Sequence, residues 1–461
     1  MRMVPAAWDR NVPRRTATLP LMAAVQIPTT GRPHDEILDE MRHLHDEDAD
    51  WHSGHTWSLV YHAGDEHTAF LKDAYGVFFS ENALNPLAFP ALRGFEAEVV
   101  RMTASMLHGD DQVAGTMTSG GTESLLMAVK TYRDWGRVTS GITEPEMVLP
   151  TTAHAAFDKA AHYFGVHAVR IPVGDDLRAD PVAMEAAITP NTVLMVGSAP
   201  DYPHGQIDPI VRLAQIALDR GIGFHVDACL GGFLVPWAEQ LGVAVEPWDF
   251  RNSGVTSMSA DVHKYGFAAK GASTILYRTP DLRRFQFHVT ADWPGGIYAS
   301  PSMAGTRPGG AIAAAWAALQ AIGVDGYLQM TEQILATTRS LIDGVRAIPG
   351  LQILGDPQLS VFSFTGTDVD PFAVADAVEA HGWHIDRQIR PSSLHLMVTP
   401  AHTDVVEGFL VDLAAAVEEV RANPQASTVG QAAMYGMMTT LPDSGMLEEI
   451  VLQMLDSLYS T

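Results

Sequence analysis

Between Met147 and Tyr277 the chain repeats short apolar runs: Met147-Val148-Leu149, Val169-Arg170-Ile171-Pro172-Val173, Val193-Leu194-Met195-Val196, Phe224-His225-Val226 and Ser273-Thr274-Ile275-Leu276-Tyr277. Helix-period segments such as Ile210 to Asp219 lie between several of them. Such alternation predicts βαβ units, an α/β fold and a mostly parallel central sheet flanked by helices. Ala311 to Val324 is apolar but interrupted by Gln320, and it falls short of the roughly 18 residues of a membrane span, so it reads as a buried helix. After Gly326 the texture changes to a long helix, Tyr327 to Ile348, an apolar run from Leu359 to Phe364, the segment Pro371 to His381, a strand at Leu394 to Val398 and a final amphipathic helix. These elements predict a smaller carboxyl-terminal α+β domain. The resulting division is an amino-terminal arm and helix over 1–60, a large domain over 61–325 and a small domain over 326–461.

Composition narrows the class. The chain has 461 residues, 47% of them hydrophobic, and Lys+Arg 29 against Asp+Glu 54 give a net charge of −25. A surface this acidic repels nucleic acid and anionic lipid heads, so no nucleic-acid partner is expected. The single cysteine, Cys229, excludes an internal disulfide framework and reads as a small apolar filler. Met1 to Thr30 is broken by Pro5, Pro13, Pro20 and Pro28 and reads as an irregular arm, in which Arg14-Arg15 and the short stretch after it make a poor export signal. No transmembrane anchor is expected, and a cytoplasmic location follows. His34, His43, His45, His52 and His55 are mixed with acidic residues, but Ile37, Met41 and Leu44 form a helical stripe. The polar residues read as its solvated face, and no metal site is expected.

Three segments carry chemistry. In Asp261-Val262-His263-Lys264-Tyr265-Gly266, a lysine after an apolar segment suits a covalent bond to an aldehyde cofactor, pyridoxal 5′-phosphate. The amine must be partly deprotonated for that bond, and His263 and Lys270 are placed to supply the positive charge that favours the neutral form. Upstream, a strand from Ile222 to Val226 delivers Asp227 at its carboxyl end, where a carboxylate can keep the cofactor's ring nitrogen protonated. Thr118-Ser119-Gly120-Gly121-Thr122-Glu123-Ser124 precedes a helix over Leu125 to Lys130. Gly120 and Gly121 let backbone N–H groups approach a phosphate at a helix start, with Thr122 and His263 as side-chain ligands.

With these segments in order, the chain resembles the sphingosine-1-phosphate lyase family, within the pyridoxal-phosphate decarboxylase-like enzymes. The resemblance is carried by Thr118 to Ser124, Ala153-His154-Ala155-Ala156-Phe157, Tyr202-Pro203-His204-Gly205, His225 to Phe233, Ser257 to Gly271, Trp293 to Pro301 and Gly305 to Gly310. It runs from about Pro28 to Thr461 and includes the tail strings Met434 to Met437 and Leu455 to Thr461.

The resemblance implies a fold type I pyridoxal-phosphate enzyme, with Lys264 bonded to the cofactor, Asp227 on the ring nitrogen and His154 stacked on the ring. It implies that Gly305 and Thr306 reach the cofactor phosphate of a partner subunit, hence a homodimer with shared sites. It implies a substrate phosphate held by Tyr61 and Lys270, with Tyr298 as a further phenol, in a pocket basic enough to offset the acidic surface. Where the family has a histidine, Asn82-Ala83-Leu84-Asn85-Pro86 places Asn85, which donates a hydrogen bond but no charge. The reaction so implied is cleavage of the Cα–Cβ bond of a phosphorylated sphingoid base to a long-chain aldehyde and phosphoethanolamine. The alternatives are an amino-acid decarboxylase or another aldolase on the same scaffold, and a catalytically silent binding protein.

Overall fold

The computed structural model describes residues 26–46, 48–440 and 444–459. The arm before residue 26 and the last two residues of the tail string lie outside them. The chain forms two compact units, Met1–Trp51 with Thr440–Thr461, and His52–Thr439. In the first, the helix His34–His45 carries the expected stripe, with Ile37, Met41 and Leu44 exposed, and the helix Ser444–Tyr459 exposes Leu455 and Leu458.

The second unit is built on a seven-stranded sheet of β1 (Ala114–Thr118), β2 (Glu146–Pro150), β3 (His167–Ile171), β4 (Thr192–Ser198), β5 (Gly223–Asp227), β6 (Ser257–Ala260) and β7 (Ser273–Tyr277), in the order β1-β7-β6-β5-β4-β2-β3. Strands β6, β5, β4, β2 and β3 pair in parallel, and β7 is antiparallel to both neighbours. All strands except β7 therefore run in one direction. The five apolar runs are strands, as their spacing predicts. Strands β1 and β6 have no apolar run: Ala-Gly-Thr-Met-Thr and Ser-Met-Ser-Ala are small and hydroxylic because their side chains are used inside the sheet. A Cβ on Gly115 would stand 2.5 Å from the Leu276 side chain. Ser124 links the hydroxyls of Thr118 and Ser273 at 2.7 and 2.8 Å, so these buried polar groups are satisfied rather than stranded.

A hairpin of β8 (His288–Thr290) and β9 (Tyr298–Ser300) follows, then an antiparallel sheet of β10 (Leu351–Ile353), β11 (Val361–Gly366), β12 (Asp386–Ile389) and β13 (Ser392–Met397) in the order β10-β11-β13-β12. The two helices expected over Ala311 to Val324 and Tyr327 to Ile348 fill the helical element Gly309–Ala347, and a non-helical kink at Gly323, whose positive φ of 61° glycine tolerates, divides them. Among the described residues this is the one helix long and apolar enough to cross a membrane by length and composition, and its Ala314, Ala318, Leu341 and Val345 are buried.

The chain between the two units' boundary and the large sheet is tied to the small sheet. Met397 N donates to Trp57 O at 2.8 Å, and Trp57 N donates to His384 O at 3.1 Å. The Trp57 indole is fully buried, stacks on the His402 ring at 4.4 Å and packs on Phe409 at 4.6 Å. Trp57→Ala is expected to remove about 3–5 kcal/mol of stability, read as a lower midpoint of denaturant unfolding with an unchanged slope. A variant as stable as the parent would show that this segment is not anchored by its indole.

Candidate active site

The sheet direction brings the loops after β1, β2, β4, β5 and β6 to one edge, the carboxyl edge where open α/β sheets bind ligands. After β1, Gly120 and Gly121 open the helix Gly121–Ser140. Glu123 fixes this turn, accepting from Ser119 N at 2.7 Å and from Met303 N at 2.8 Å. A Cβ on Gly121 would meet Asp261 Oδ2 at 2.7 Å and Cys229 Sγ at 2.8 Å, and one on Gly120 would lie 3.4 Å from His263 Cε1. The three chemical segments thus converge around the two glycines, of which Gly121 admits no side chain. Thr122 follows on an exposed position of the first helical turn.

Asp227 ends β5 and is buried. Its Oδ1 accepts from Cys229 N at 3.1 Å and Ser259 Oγ at 3.3 Å. Both bonds go to one oxygen, which orients the carboxylate and leaves Oδ2 for a ring N–H. His225, two residues back, is held by Ser257 Oγ at 2.8 Å, and burial pushes it down to about 4, so it is a neutral support. Burial, then Asp227 and Asp261, push the Cys229 thiol up, which makes it the inert filler its sequence context suggests.

Lys264 lies in the loop after β6, and its Nζ pairs with Asp261 Oδ2 at 3.1 Å. The positive charge expected to depress it is outweighed. Burial opposes the ammonium, but Asp261, then Cys229 and Asp227, outweigh burial and hold Lys264 above the usual ammonium range. His263 cannot supply a charge, because burial pushes it down to about 4 despite Asp261. Its Nδ1 accepts from Ala272 N at 3.2 Å, so neutral His263 carries its proton on Nε2 and offers a phosphate a hydrogen bond without a charge.

His154 sits in the loop after β2, exposed, with Nδ1 accepting from Ala156 N at 3.1 Å. That bond and the edge-on ring of Tyr202, 6.2 Å away, set its orientation. Tyr202 follows β4, its hydroxyl donates to Asp386 Oδ2 at 3.1 Å, and its ring lies 4.5 Å from that of His395. Sequence reasoning assigned Tyr202 no role; its place just after a strand's carboxyl end was the available signal.

Tyr61 and Lys270, remote in sequence, meet. The Lys270 ammonium stands 5.0 Å over the Tyr61 ring and donates to Leu59 O at 2.7 Å. Burial, then the charge of Lys264, push it down to about 8 although Asp261 opposes them. The Tyr61 hydroxyl donates to Met397 Sδ at 2.6 Å, its ring packs on Tyr265 at 5.0 Å, and the Tyr265 hydroxyl donates to Val398 O at 3.0 Å. Asn85, Tyr298, Gly305 and Thr306 are placed differently. Asn85 is exposed and its Oδ1 accepts from Leu87 N and Ala88 N, both at 3.1 Å. Thr306 accepts from Asn82 Nδ2 at 3.2 Å, and a Cβ on Gly305 would lie 3.3 Å from the Tyr298 hydroxyl. Neighbouring Arg307 is buried in a bidentate pair with Glu96 at 2.6 and 3.0 Å.

The side-chain-free cradle at Gly120 and Gly121, the buried carboxylate of Asp227 and the lysine between them fit pyridoxal phosphate. The pyridoxal-dependent decarboxylase conserved domain matches residues 19–366. Sphingosine-1-phosphate lyase 1 of Rattus norvegicus is 47% identical over 94% of this chain and 77% of its own length. The sphingosine-1-phosphate lyase of Arabidopsis thaliana is 45% identical over 92% and 79%. Among solved structures, the sphingosine-1-phosphate lyase of Burkholderia pseudomallei superposes with a TM-score of 0.84 at 39% identity, covering 92% of this chain and 98% of that one. A glutamate decarboxylase of Lactobacillus brevis, 18% identical over 87% of this chain and 95% of its own, superposes at 0.76 and shares the fold.

The Asp261 pair sets a test. Covalent loading of the cofactor needs a neutral lysine, so the rate of loading onto cofactor-free protein should rise with pH. Asp261→Asn removes the main attraction for the Lys264 proton and should shift that profile to lower pH, followed by visible absorbance, while Lys264→Ala develops no such band. An unshifted profile in Asp261→Asn would show that Asp261 does not control the amine.

Proposed function

The chain belongs to the pyridoxal-dependent decarboxylase family and, within it, to the sphingosine-1-phosphate lyases, and from that premise we propose that it cleaves the Cα–Cβ bond of a phosphorylated sphingoid base to a long-chain aldehyde and phosphoethanolamine. The observation that carries the reading is the anchor of Tyr61 and Lys270, a phenol and an ammonium brought together near the Lys264 and Asp261 pair. Lyase and decarboxylase share the cofactor residues and differ in what lies beyond them. The bond that breaks is the one stood perpendicular to the cofactor ring, and binding of a remote substrate group sets that orientation.

Bound pyridoxal phosphate supplies an electron sink for the pair released at the substrate's Cα. Lys264 would hold its aldehyde carbon, Asp227 Oδ2 its ring nitrogen, His154 its ring, and the Gly120-Gly121 turn with Thr122 and His263 Nε2–H its phosphate. Cα–Cβ cleavage takes the proton off the β-hydroxyl and returns one to Cα, so it balances without an external reagent. Lys264 Nζ, with Asp261 Oδ2 3.1 Å away, keeps a proton beside the site. Lys270, exposed and standing over the Tyr61 ring, serves as the cation for the substrate phosphate.

A homodimer with shared sites is part of the proposal. It is supported by the exposure of Asn85 and Thr306 and by the large apolar side chains of Phe79, Leu87 and Ile297 left on the surface. Light scattering at micromolar concentration should give twice the chain mass; a monomer that retains full turnover would refute sharing. Cytoplasmic location belongs to the same reading, supported by the lone buried thiol of Cys229, and cell fractionation tests it.

The anchor itself is tested by Lys270→Ala, assayed on sphingosine 1-phosphate and on its unphosphorylated parent. Loss of one charge-assisted contact costs about 1.5–3 kcal/mol, which is about one to two decades in kcat/KM on the phosphorylated substrate. Lys270 is pushed down to about 8, so its charge is present below that value and is lost as pH rises through it. kcat/KM for the phosphorylated substrate should therefore fall above about pH 8 in the parent, and that limb should vanish in Lys270→Ala. Equal losses on both substrates would mean that the pocket recognises another head group.

A further inference from the structure

Arg170 lies on β3, the last strand on one side of the large sheet, and sequence reasoning assigned it no role. Its guanidinium spends its donors in two directions. Nε and Nη2 donate to the two carboxylate oxygens of Asp158 at 3.0 and 2.7 Å. Nη1 donates to Pro150 O at 3.1 Å, Thr151 O at 3.2 Å and Ala153 O at 3.1 Å, the carbonyls of the turn that ends one residue before His154. We propose that Arg170, oriented by Asp158, is a positioning residue for His154: it fixes the turn from which the imidazole meets the cofactor ring. The proposal rests on the reading that places His154 against that ring.

A plain surface ion pair is worth little, and three features set this one apart. The pairing is two-pronged, so the carboxylate sets the plane of the guanidinium and aims Nη1 at the turn. The bonds also begin where the sheet stops. Arg170 is level with Leu149 in the ladder of β2 and β3, Thr151 N donates to Ile171 O at 2.8 Å, and past that bond the chain turns, with Ala153 N donating to Pro150 O at 3.1 Å. Arg170 Nη1 gathers the carbonyls of this turn in place of a strand. Its other partner is equally fixed. Asp158 stands in the first turn of the helix Ala156–Phe164, whose Phe157 is fully buried with its ring centroid 6.0 Å from that of His225. Arg170 therefore ties the turn before His154 to the helix after it. His154 itself is exposed, and its Nδ1 accepts from Ala156 N at 3.1 Å, a bond within the same segment. The imidazole inherits its direction from the two flanks, and Arg170 is the side chain that bonds to both. A lysine would keep the charge but not the planar fork.

The test is a double-mutant cycle on the full-length holoenzyme with Arg170→Lys and His154→Ala, singly and together. Two readouts report the cofactor rather than turnover: the circular dichroism of its visible band, and the rate at which it is lost on dilution. Arg170→Lys should alter the dichroism and speed cofactor loss about three- to tenfold, the worth of one aromatic contact. In the His154→Ala background the same substitution should change that rate by less than about twofold. Asp158→Asn, at an exposed position, should act in the same direction by a smaller step, and it carries the same cycle if Arg170→Lys does not fold. Equal effects in both backgrounds, or no effect in the parent while His154→Ala speeds cofactor loss, would overturn the proposal. If His154→Ala itself leaves both readouts unchanged, the reading of His154 fails and the proposal falls with it.

Discussion

Strand direction is the constraint from which the rest follows. Because β1, β2, β4, β5 and β6 point the same way, residues scattered over more than a hundred positions arrive at one edge: the Gly120-Gly121 turn, His154, Tyr202, Asp227 and Lys264. The register then sets their depth. Asp227 is level with Ser198 on one side and Ser259 on the other, and Ser259 is the hydroxyl that turns its carboxylate. A slip of one residue in β5 would send Asp227 to the opposite face of the sheet. The hydroxyl-rich composition of β6 follows from the same geometry, since its side chains brace His225, Asp227 and Cys229.

Electrostatics at this edge oppose the surroundings. The chain carries a net charge of −25, yet the site must hold two phosphates, one on the cofactor and one on the substrate. Backbone N–H groups and a neutral His263 suit the first, which sits over a helix start and needs no full cation. Lys270 is the positive side chain that the proposed function assigns to the second. Lys264 is charged as well, but its charge is matched by Asp261 and consumed when the cofactor bonds. Fixed positive charge is thereby confined to the end of the site that meets the substrate's head group.

Much of this was legible in the chain. Apolar runs mark buried strands, so β2, β3, β4, β5 and β7 could be read, and Asp227 ends a strand, Lys264 follows one and the glycine turn opens a helix. Strands β1 and β6 could not be read, because their buried side chains are hydroxyls satisfied by partners far away in sequence. The protonation of Lys264 was misjudged for a related reason. His263 and Lys270 are near in sequence, but burial strips His263 of its charge while Asp261, on the same short loop, faces the amine. Tyr202 has no periodic spacing and becomes visible only when the chain is folded.

The segment from His55 to Asp65 shows why the small sheet matters to chemistry it does not touch. Trp57 is clamped by His402, Phe409 and the backbone of β13, and Tyr61 lands on Met397 at the end of the same strand. Leu59 between them takes a left-handed φ of 68°, uncommon for a bulky residue, and offers its carbonyl to Lys270. The anchor therefore belongs to two elements at once: its lysine comes from the loop of the large sheet that holds Lys264, and its phenol from a strap fastened to the small sheet. Under the proposed function, an anchor of that kind would set the distance between the substrate's head group and its reacting carbon through packing of the two sheets. On that reading, a change in the packing would alter which bond stands perpendicular to the ring without altering any residue assigned to the cofactor, the general case of one fold hosting different chemistries.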